Sequence, residues 1–305
     1  MTVSQITLAK DGPTFSRLVF GAWRLADDPK SATISNVLRK IETSLDLGIT
    51  TFDHADIYGG YTCEHLFGSA LAERKELRAR MQLVSKCGIQ LISPNRTENK
   101  IKHYDTSQKH IVNSVENSLR ALHTDRLDLL LIHRPDPLMD ADEVAQTFVK
   151  LKEQGKVLHF GVSNFLPTHF DLLQSRLPFA LVTNQIELSV LRMDPLQDGT
   201  LDQCMIRGIS PMAWSPLGGG LLFSGTSEKT VRVRETLRDI GRELQGASED
   251  QVALAWLLAH PAKIVPVLGT SDAARLQSAA KSEALKLTRQ QWFRIWTASA
   301  GKEVA

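Results

Sequence analysis

Short apolar runs and longer amphipathic stretches alternate along this chain. The apolar runs fall near 18–21, 49–53, 81–86, 127–132, 157–162, 181–185, 209–214 and 264–268, each short enough for a strand. Helical patterns separate them at about 31–47, 63–79, 107–122, 140–155, 167–176, 198–207, 228–259 and 272–280. In the first, Ile34, Val37, Leu38, Ile41 and Leu45 share one face, and Gly48 stands where a left-handed C-terminal cap is expected. The same grammar returns at Asp140: "DADE" predicts a capping box, Val144, Phe148 and Leu151 supply the stripe, and Gly155 ends it. Eight strands alternating with helices, several apolar on both faces, predict parallel strands buried on both sides. Eight is also the number that closes a barrel. The expected fold is therefore an α/β (β/α)8 TIM barrel.

Two segments stand outside that count. Residues 5–18 predict an N-terminal β-hairpin about "KDGP", and Thr288 to Ala300 opens with a T-x-x-Q box and predicts an extra C-terminal helix. The polar stretch 90–107 reads as a long loop. No linker divides the chain, so residues 1–305 are expected to form one barrel domain.

Composition narrows the function classes. The net charge of +2, with Lys and Arg scattered among Asp and Glu, gives no basic stripe for nucleic acid. No run approaches the roughly 18 apolar residues of a membrane span, and the first residues carry no signal-peptide pattern. A cytoplasmic protein is expected. Cys63, Cys87 and Cys204 form no metal-ligand spacing and read as structural thiols.

The chemistry gathers at one end of the strands. In such a barrel the active site lies at the C-terminal ends, where residues distant in sequence meet. The second run ends at Asp53 in "TFDHADIYGG" with Tyr58 just beyond; the third ends at Lys86, the fourth at His133, and the fifth at Ser163 and Asn164. The sixth carries Gln185, the seventh Trp214 ahead of "SPLGGG", and the eighth runs into "LGTS". An Asp, Tyr, Lys and His meeting at one mouth would form a proton-transfer device, since a phenol titrates near pH 10 and a neighbouring ammonium favours its anion.

These motifs resemble the aldo-keto reductase superfamily, in its bacterial NADP-dependent oxidoreductase branch. The likeness runs from "GAW" through "FDHADIYGG", "VSKCG", "LIHRPD", "GVSNF", "NQIELS" and "AWSPLGGG" to "LGTSDAARL". It implies reduction of aldehyde or ketone carbonyls to alcohols by hydride transfer. By resemblance Tyr58 is the general acid, Lys86 paired with Asp53 lowers the phenol pKa, and His133 orients the carbonyl. The chain has no dinucleotide fingerprint G-x-G-x-x-G after an early strand, so the resemblance alone supplies the NADPH site, with NADH possible. It assigns Ser163, Asn164 and Gln185 to the nicotinamide carboxamide and Trp214, where the family commonly has Tyr, to the ring face. Ser215, Pro216, Leu217, Gly218 and Gly219 would line the pyrophosphate; Gly269, Thr270, Ser271 and Arg275 would meet the 2′-phosphate. Past Arg275 the family's adenine-binding Glu and Asn are replaced by Ser278 and Ala279, and Asp272 adds a negative charge nearby. Trp23 matches an aromatic wall of the substrate pocket. Two other readings stay open: a redox-sensing cofactor-binding partner, as in the potassium-channel β-subunit branch, and a metal-dependent hydrolase using Asp53, His54, Asp56, His65 and His133. The physiological carbonyl, the preferred direction and the oligomeric state are not legible.

Overall fold

The computed structural model describes residues 2–28, 32–270 and 272–305. The chain opens with the antiparallel pair β1 (Gln5–Thr7) and β2 (Thr14–Ser16), followed by β3 (Val19–Gly21), α1 (Ile34–Asp46), β4 (Thr51–Asp53), α2 (Cys63–Glu73) and β5 (Gln82–Cys87). An excursion then pairs β6 (Ile89–Gln90) with β7 (His103–Tyr104) before α3 (Gln108–Ala121) and β8 (Leu127–Ile132). Next come α4 (Ala141–Glu153), β9 (Val157–Ser163), α5 (Pro167–Gln174), β10 (Asn184–Glu187), α6 (Thr200–Arg207) and β11 (Met212–Trp214). The last third holds α7 (Leu221–Ser224), α8 (Glu228–Glu243), α9 (Glu249–Leu258), β12 (Val265–Leu268), α10 (Ala273–Lys281) and α11 (Arg289–Ala300).

Strands β3, β4, β5, β8, β9, β10, β11 and β12 close in that order into a parallel barrel, with β12 returning to β3 through Val267 opposite Val19. This is the expected (β/α)8 fold. The β1–β2 hairpin covers its N-terminal end. Ser16 Oγ accepts the N–H groups of Thr50 and Thr51 where β4 begins, and Leu8 O accepts Ser210 N–H ahead of β11. Phe15 and Leu18 are fully buried there. Helix α11 is pinned to α9 by two indoles that stack at 4.8 Å, each Nε1 donating to the other's carbonyl at 3.1 Å. An aromatic pair of this kind contributes about 0.5–1.5 kcal/mol beyond its buried area.

Some expectations are corrected. The run 228–259 is two helices, because Gln245 (φ 59°) and Gly246 (φ 83°) reverse the chain and Ser248 starts α9 with its own capping box to Gln251. Stretch 90–107 is not loop throughout, since β6 and β7 pair within it. Asp140 caps α4 as expected, but Glu143 does not complete a box: its carboxylate accepts the backbone N–H of Gln108 at the start of α3. The sixth strand begins at Asn184, later than the apolar run. Ser31, the expected start of the first helix, lies outside the described residues; α1 is capped by Thr33, whose side chain accepts Asn36 N–H.

Candidate active site

Period-two alternation puts Phe52 of β4 outward, against Phe20 and Phe67, and its neighbour Asp53 at the strand's C-terminal end facing the barrel. On β5 the partner of Asp53 is Val84, so Lys86 stands two residues nearer the mouth. Its ammonium is fully buried, and its three N–H groups are all engaged: Asp53 Oδ2 at 2.7 Å, His54 O at 2.7 Å and Tyr58 Oη at 2.9 Å. The four residues expected from the strand ends thus converge. His133 closes the group, its ring edge-on to Tyr58 with centroids 6.0 Å apart.

Tyr58 reaches this point from a turn of unusual backbone. Gly59, Gly60 and Tyr61 are all left-handed, with φ of 60°, 63° and 75°. Tyr61 is held in that disfavoured region from outside: its hydroxyl accepts Leu91 N–H at 2.9 Å, and the Arg96 guanidinium lies 4.5 Å over its ring. The excursion after β5 therefore braces the loop that carries the phenol.

Electrostatics sort the group into roles. Desolvation pulls the Lys86 ammonium down, but Asp53 and Tyr58 outweigh it and the lysine stays charged. Burial pushes the Tyr58 phenol up, and Lys86 pulls it only part of the way back. Lys86 therefore acts on the phenol in the expected, lowering direction, while the low-dielectric setting keeps Tyr58 a protonated donor. Burial, then the cations Lys86, Arg134 and Lys102, hold His133 well below the usual imidazole range, so it is neutral.

The other expected residues form an arc along the rim. Ser163 Oγ donates to Gln185 O at 2.8 Å and accepts Asn164 Nδ2 at 2.7 Å. Asn164, left-handed at φ 60°, accepts Trp214 Nε1 on its Oδ1 at 2.9 Å. Gln185 is turned inward, with Nε2 on Asp53 Oδ1 at 2.8 Å. Beyond Trp214, Ser215 is also left-handed (φ 51°), Pro216 is buried beside half-buried Leu217, and the chain makes a tight turn at Gly218–Gly220 with three positive φ values. A Cβ at Gly220 would meet nothing within 4 Å, so this rim offers open space bordered by backbone. Gly269 has equally open surroundings. Asp272 caps α10, accepting Arg275 N–H at 3.0 Å, and Thr270 Oγ1 accepts Asp272 N–H; the carboxylate is directed to the helix end, and Arg275 is exposed. Ser271 lies outside the described residues. Such an arc of small side chains, left-handed backbone and an exposed arginine fits an extended phosphate-bearing dinucleotide. Trp23 stands 54% exposed at the same mouth.

Two residues at the mouth escaped the sequence reading. Arg24 Nη2 donates to Gly219 O at 2.7 Å, tying the loop after β3 to the glycine turn. Arg134 places its guanidinium 5.4 Å over the Trp214 ring. Each directly follows a residue that was singled out, Trp23 and His133, and that adjacency was the available signal. Of the five residues of the hydrolase reading, His54 contributes its backbone carbonyl to Lys86, and its ring packs edge-on against Phe67 at 4.5 Å. Among the described residues no three His, Cys, Asp or Glu are grouped to hold a metal ion.

Comparison with known proteins agrees with this arrangement. The model of the Aldo/keto reductase family matches residues 17–299. Oxidoreductase YdhF of Escherichia coli is 53% identical over 302 residues, covering 99% of each chain. A 6-dehydroglucose reductase of Agrobacterium fabrum is 50% identical over 290 residues, covering 95% of this chain and 96% of its own. Among solved structures, the thermostable aldo-keto reductase Tm1743, determined with the inhibitor epalrestat, superposes with a TM-score of 0.79 at 26% identity, over 97% of this chain and 99% of that one. Matched across nearly its whole length by family model, relatives and barrel alike, the chain belongs to the aldo/keto reductase family and is an oxidoreductase.

Proposed function

We propose that the protein reduces a small hydroxylated aldehyde or ketone to the alcohol, using NADPH, with Tyr58 as the general acid. The observation that carries this reading is the single buried ammonium of Lys86 bonded at once to Asp53, His54 O and the Tyr58 hydroxyl. The nicotinamide cofactor supplies the hydride when bound. Everything else falls to the chain. Tyr58 delivers its phenolic proton to the carbonyl oxygen as that oxygen gains charge, and the phenolate left behind is stabilised by Lys86 until solvent returns the proton. Neutral His133, beside Tyr58, has one N–H with which to orient the same oxygen. Ser163, Asn164 and Trp214 would hold the nicotinamide end, Ser215 to Gly219 the pyrophosphate, and Gly269, Thr270, Ser271 and Arg275 the phosphorylated ribose. Trp23 and Arg134 would border the substrate. The activity named for the Agrobacterium relative supports a sugar-like carbonyl, and a guanidinium at the mouth suits hydroxyl-bearing substrates.

Tyr58→Phe removes the proton and keeps the ring. Rapid-mixing measurement of NADPH oxidation with a hydroxyaldehyde should show hydride transfer slowed by about 10² to 10⁴, with cofactor affinity retained. Turnover near the wild-type rate would remove Tyr58 from the role.

A further inference from the structure

We infer that Gln185 is a positioning residue for the proton donor, holding Asp53 from the opposite wall of the barrel so that the proton affinity of Tyr58 depends on Gln185 through Asp53 and Lys86. This rests on the role proposed for Tyr58. In the closed strand order, β10 lies four places from β4, so the bond between Gln185 and Asp53 crosses the barrel axis and joins residues 132 apart in sequence. Both residues are 2% exposed. The carboxylate is shared: Oδ2 accepts Lys86 Nζ at 2.7 Å and Oδ1 accepts Gln185 Nε2 at 2.8 Å. Among the described residues that amide nitrogen's other hydrogen-bond partner is Met212 Sδ at 3.9 Å, a weak acceptor, so its strong partner is Asp53.

The consequence follows from competition for one negative charge. An N–H directed at Oδ1 takes up part of the carboxylate's charge and fixes its plane, which leaves the Lys86 ammonium free to share itself with the phenol oxygen. Without that donor Asp53 draws Lys86 more tightly, Tyr58 loses stabilisation of its anion, and the phenol becomes a weaker acid. The remaining charged or titratable neighbours of this unit are few. Cys63 of α2 and His133 after β8 border Tyr58, while His54 beside β4 and Glu64 of α2 face Lys86, and Arg134 acts through His133. Burial holds Cys63 as a thiol and His54 and His133 neutral, and Glu64 is tied by Ser85 and Ser118 at 2.6 and 2.9 Å. Gln185 is the neutral group bonded to the carboxylate that sets Lys86.

The test compares Gln185→Met, which keeps length without a donor, with Gln185→Glu, which donates only when protonated. The chain has 3 tyrosines, so an ultraviolet difference titration against Tyr58→Phe isolates the Tyr58 phenol without substrate or turnover. The Met variant should titrate about one pH unit higher and reduce carbonyls roughly tenfold more slowly. The Glu variant should approach wild-type rates as pH falls and lose them as it rises. In an Asp53→Asn background the Met substitution should shift the phenol no further. An unchanged Tyr58 titration in the Met variant, with only weaker NADPH binding, would overturn the inference and leave Gln185 a cofactor contact. Failure of the Tyr58 role itself would instead appear as normal turnover by Tyr58→Phe, whatever the titration shows.

Discussion

Asp53 and Asp56 stand three residues apart and meet opposite surroundings. Asp53 has an ammonium and an amide on its two oxygens. Asp56 is a half-buried residue whose carboxyl is enclosed, with Ser114 Oγ donating to Oδ2 and no partner for Oδ1 among the described residues, and desolvation pushes the carboxyl up to about 7 against the opposing Ser114 bond, with Glu64 adding to the rise. A carboxyl raised on folding binds more protons folded than unfolded, so it favours the fold below its unfolded pKa and loses that contribution as pH climbs through the folded value. Between about pH 4 and 7 the native protein should therefore lose stability through Asp56. His54, lowered to about 3 by burial and then by Lys86, has the opposite sign: its contribution is present above its unfolded pKa and fades as pH falls. The two partly cancel in the wild type, and a variant separates them. Asp56→Asn keeps an acceptor for Ser114 and removes the charge. Urea unfolding should show it gaining on the wild type from pH 5 to pH 8, by up to a few kcal/mol on the scale of about 1.4 kcal/mol per pKa unit. Parallel stability curves would mean that Asp56 is not held protonated. The thiols belong to the same scale. Cys63, Cys87 and Cys204 are buried, and burial pushes Cys63 up to about 11 and Cys204 up to about 12, so each is an unreactive core group.

Elements are placed by contacts that sequence patterns do not carry. The barrel was legible because each buried strand is a short apolar run after an amphipathic helix, as Leu127–Ile132 follows Gln108–Ala121. The convergence of Asp53, Tyr58, Lys86 and His133 was legible for the same reason, since strand ends share a phase. The break at 244–248 was missed although Ser248 and Gln251 spell a capping box, because Ile240, Leu244 and Val252 carry an apolar period across it. The partner of Glu143, the brace of Leu91 and Arg96 on Tyr61, and the inward turn of Gln185 depend on chain segments far apart, so no local window contains them. Gly68 is another such case. Inside α2 it reads as a weak helix former, yet a Cβ there would lie 1.9 Å from Ala121 O and 2.7 Å from Leu122 Cα, both backbone at the end of α3. Gly68→Ala must push α2 away from α3. Overpacking of this kind costs about 1–3 kcal/mol. The Tyr58 carbonyl accepts Cys63 N–H at the start of α2, so carbonyl reduction should slow as well. Denaturant melts and turnover, measured together, check both. An alanine variant of native stability would show that the two helices yield without cost.

At the scale of the whole molecule the rim works as one surface. The group proposed for proton transfer sits at the ends of β4, β5 and β8, whereas Arg275 lies on α10 beyond β12, so a cofactor spanning them would draw affinity from the full arc of the mouth. The ends of that arc are fixed independently. Ser278 of α10, where the resemblance places an adenine-binding acid, accepts Gln251 Nε2 at 3.1 Å and is tied to the start of α9. Asp272, the other departure, points its carboxylate at the α10 backbone and is committed to the cap. On the proposed reading this leaves Arg275 as the residue that distinguishes NADPH from NADH, since its planar fork suits a phosphate dianion and NADH lacks that group. A hydrogen bond to a charged group contributes roughly 1.5–3 kcal/mol, or about ten- to a hundredfold in affinity. Arg275→Ala should weaken NADPH by that order and leave NADH nearly unchanged, and the difference should shrink as salt rises because an exposed pair is screened. Calorimetric dissociation constants for both cofactors at two ionic strengths decide it. Equal losses for the two would show that Arg275 supports the loop after β12 without reading the phosphate, and the choice of cofactor would then have to be made elsewhere on the rim.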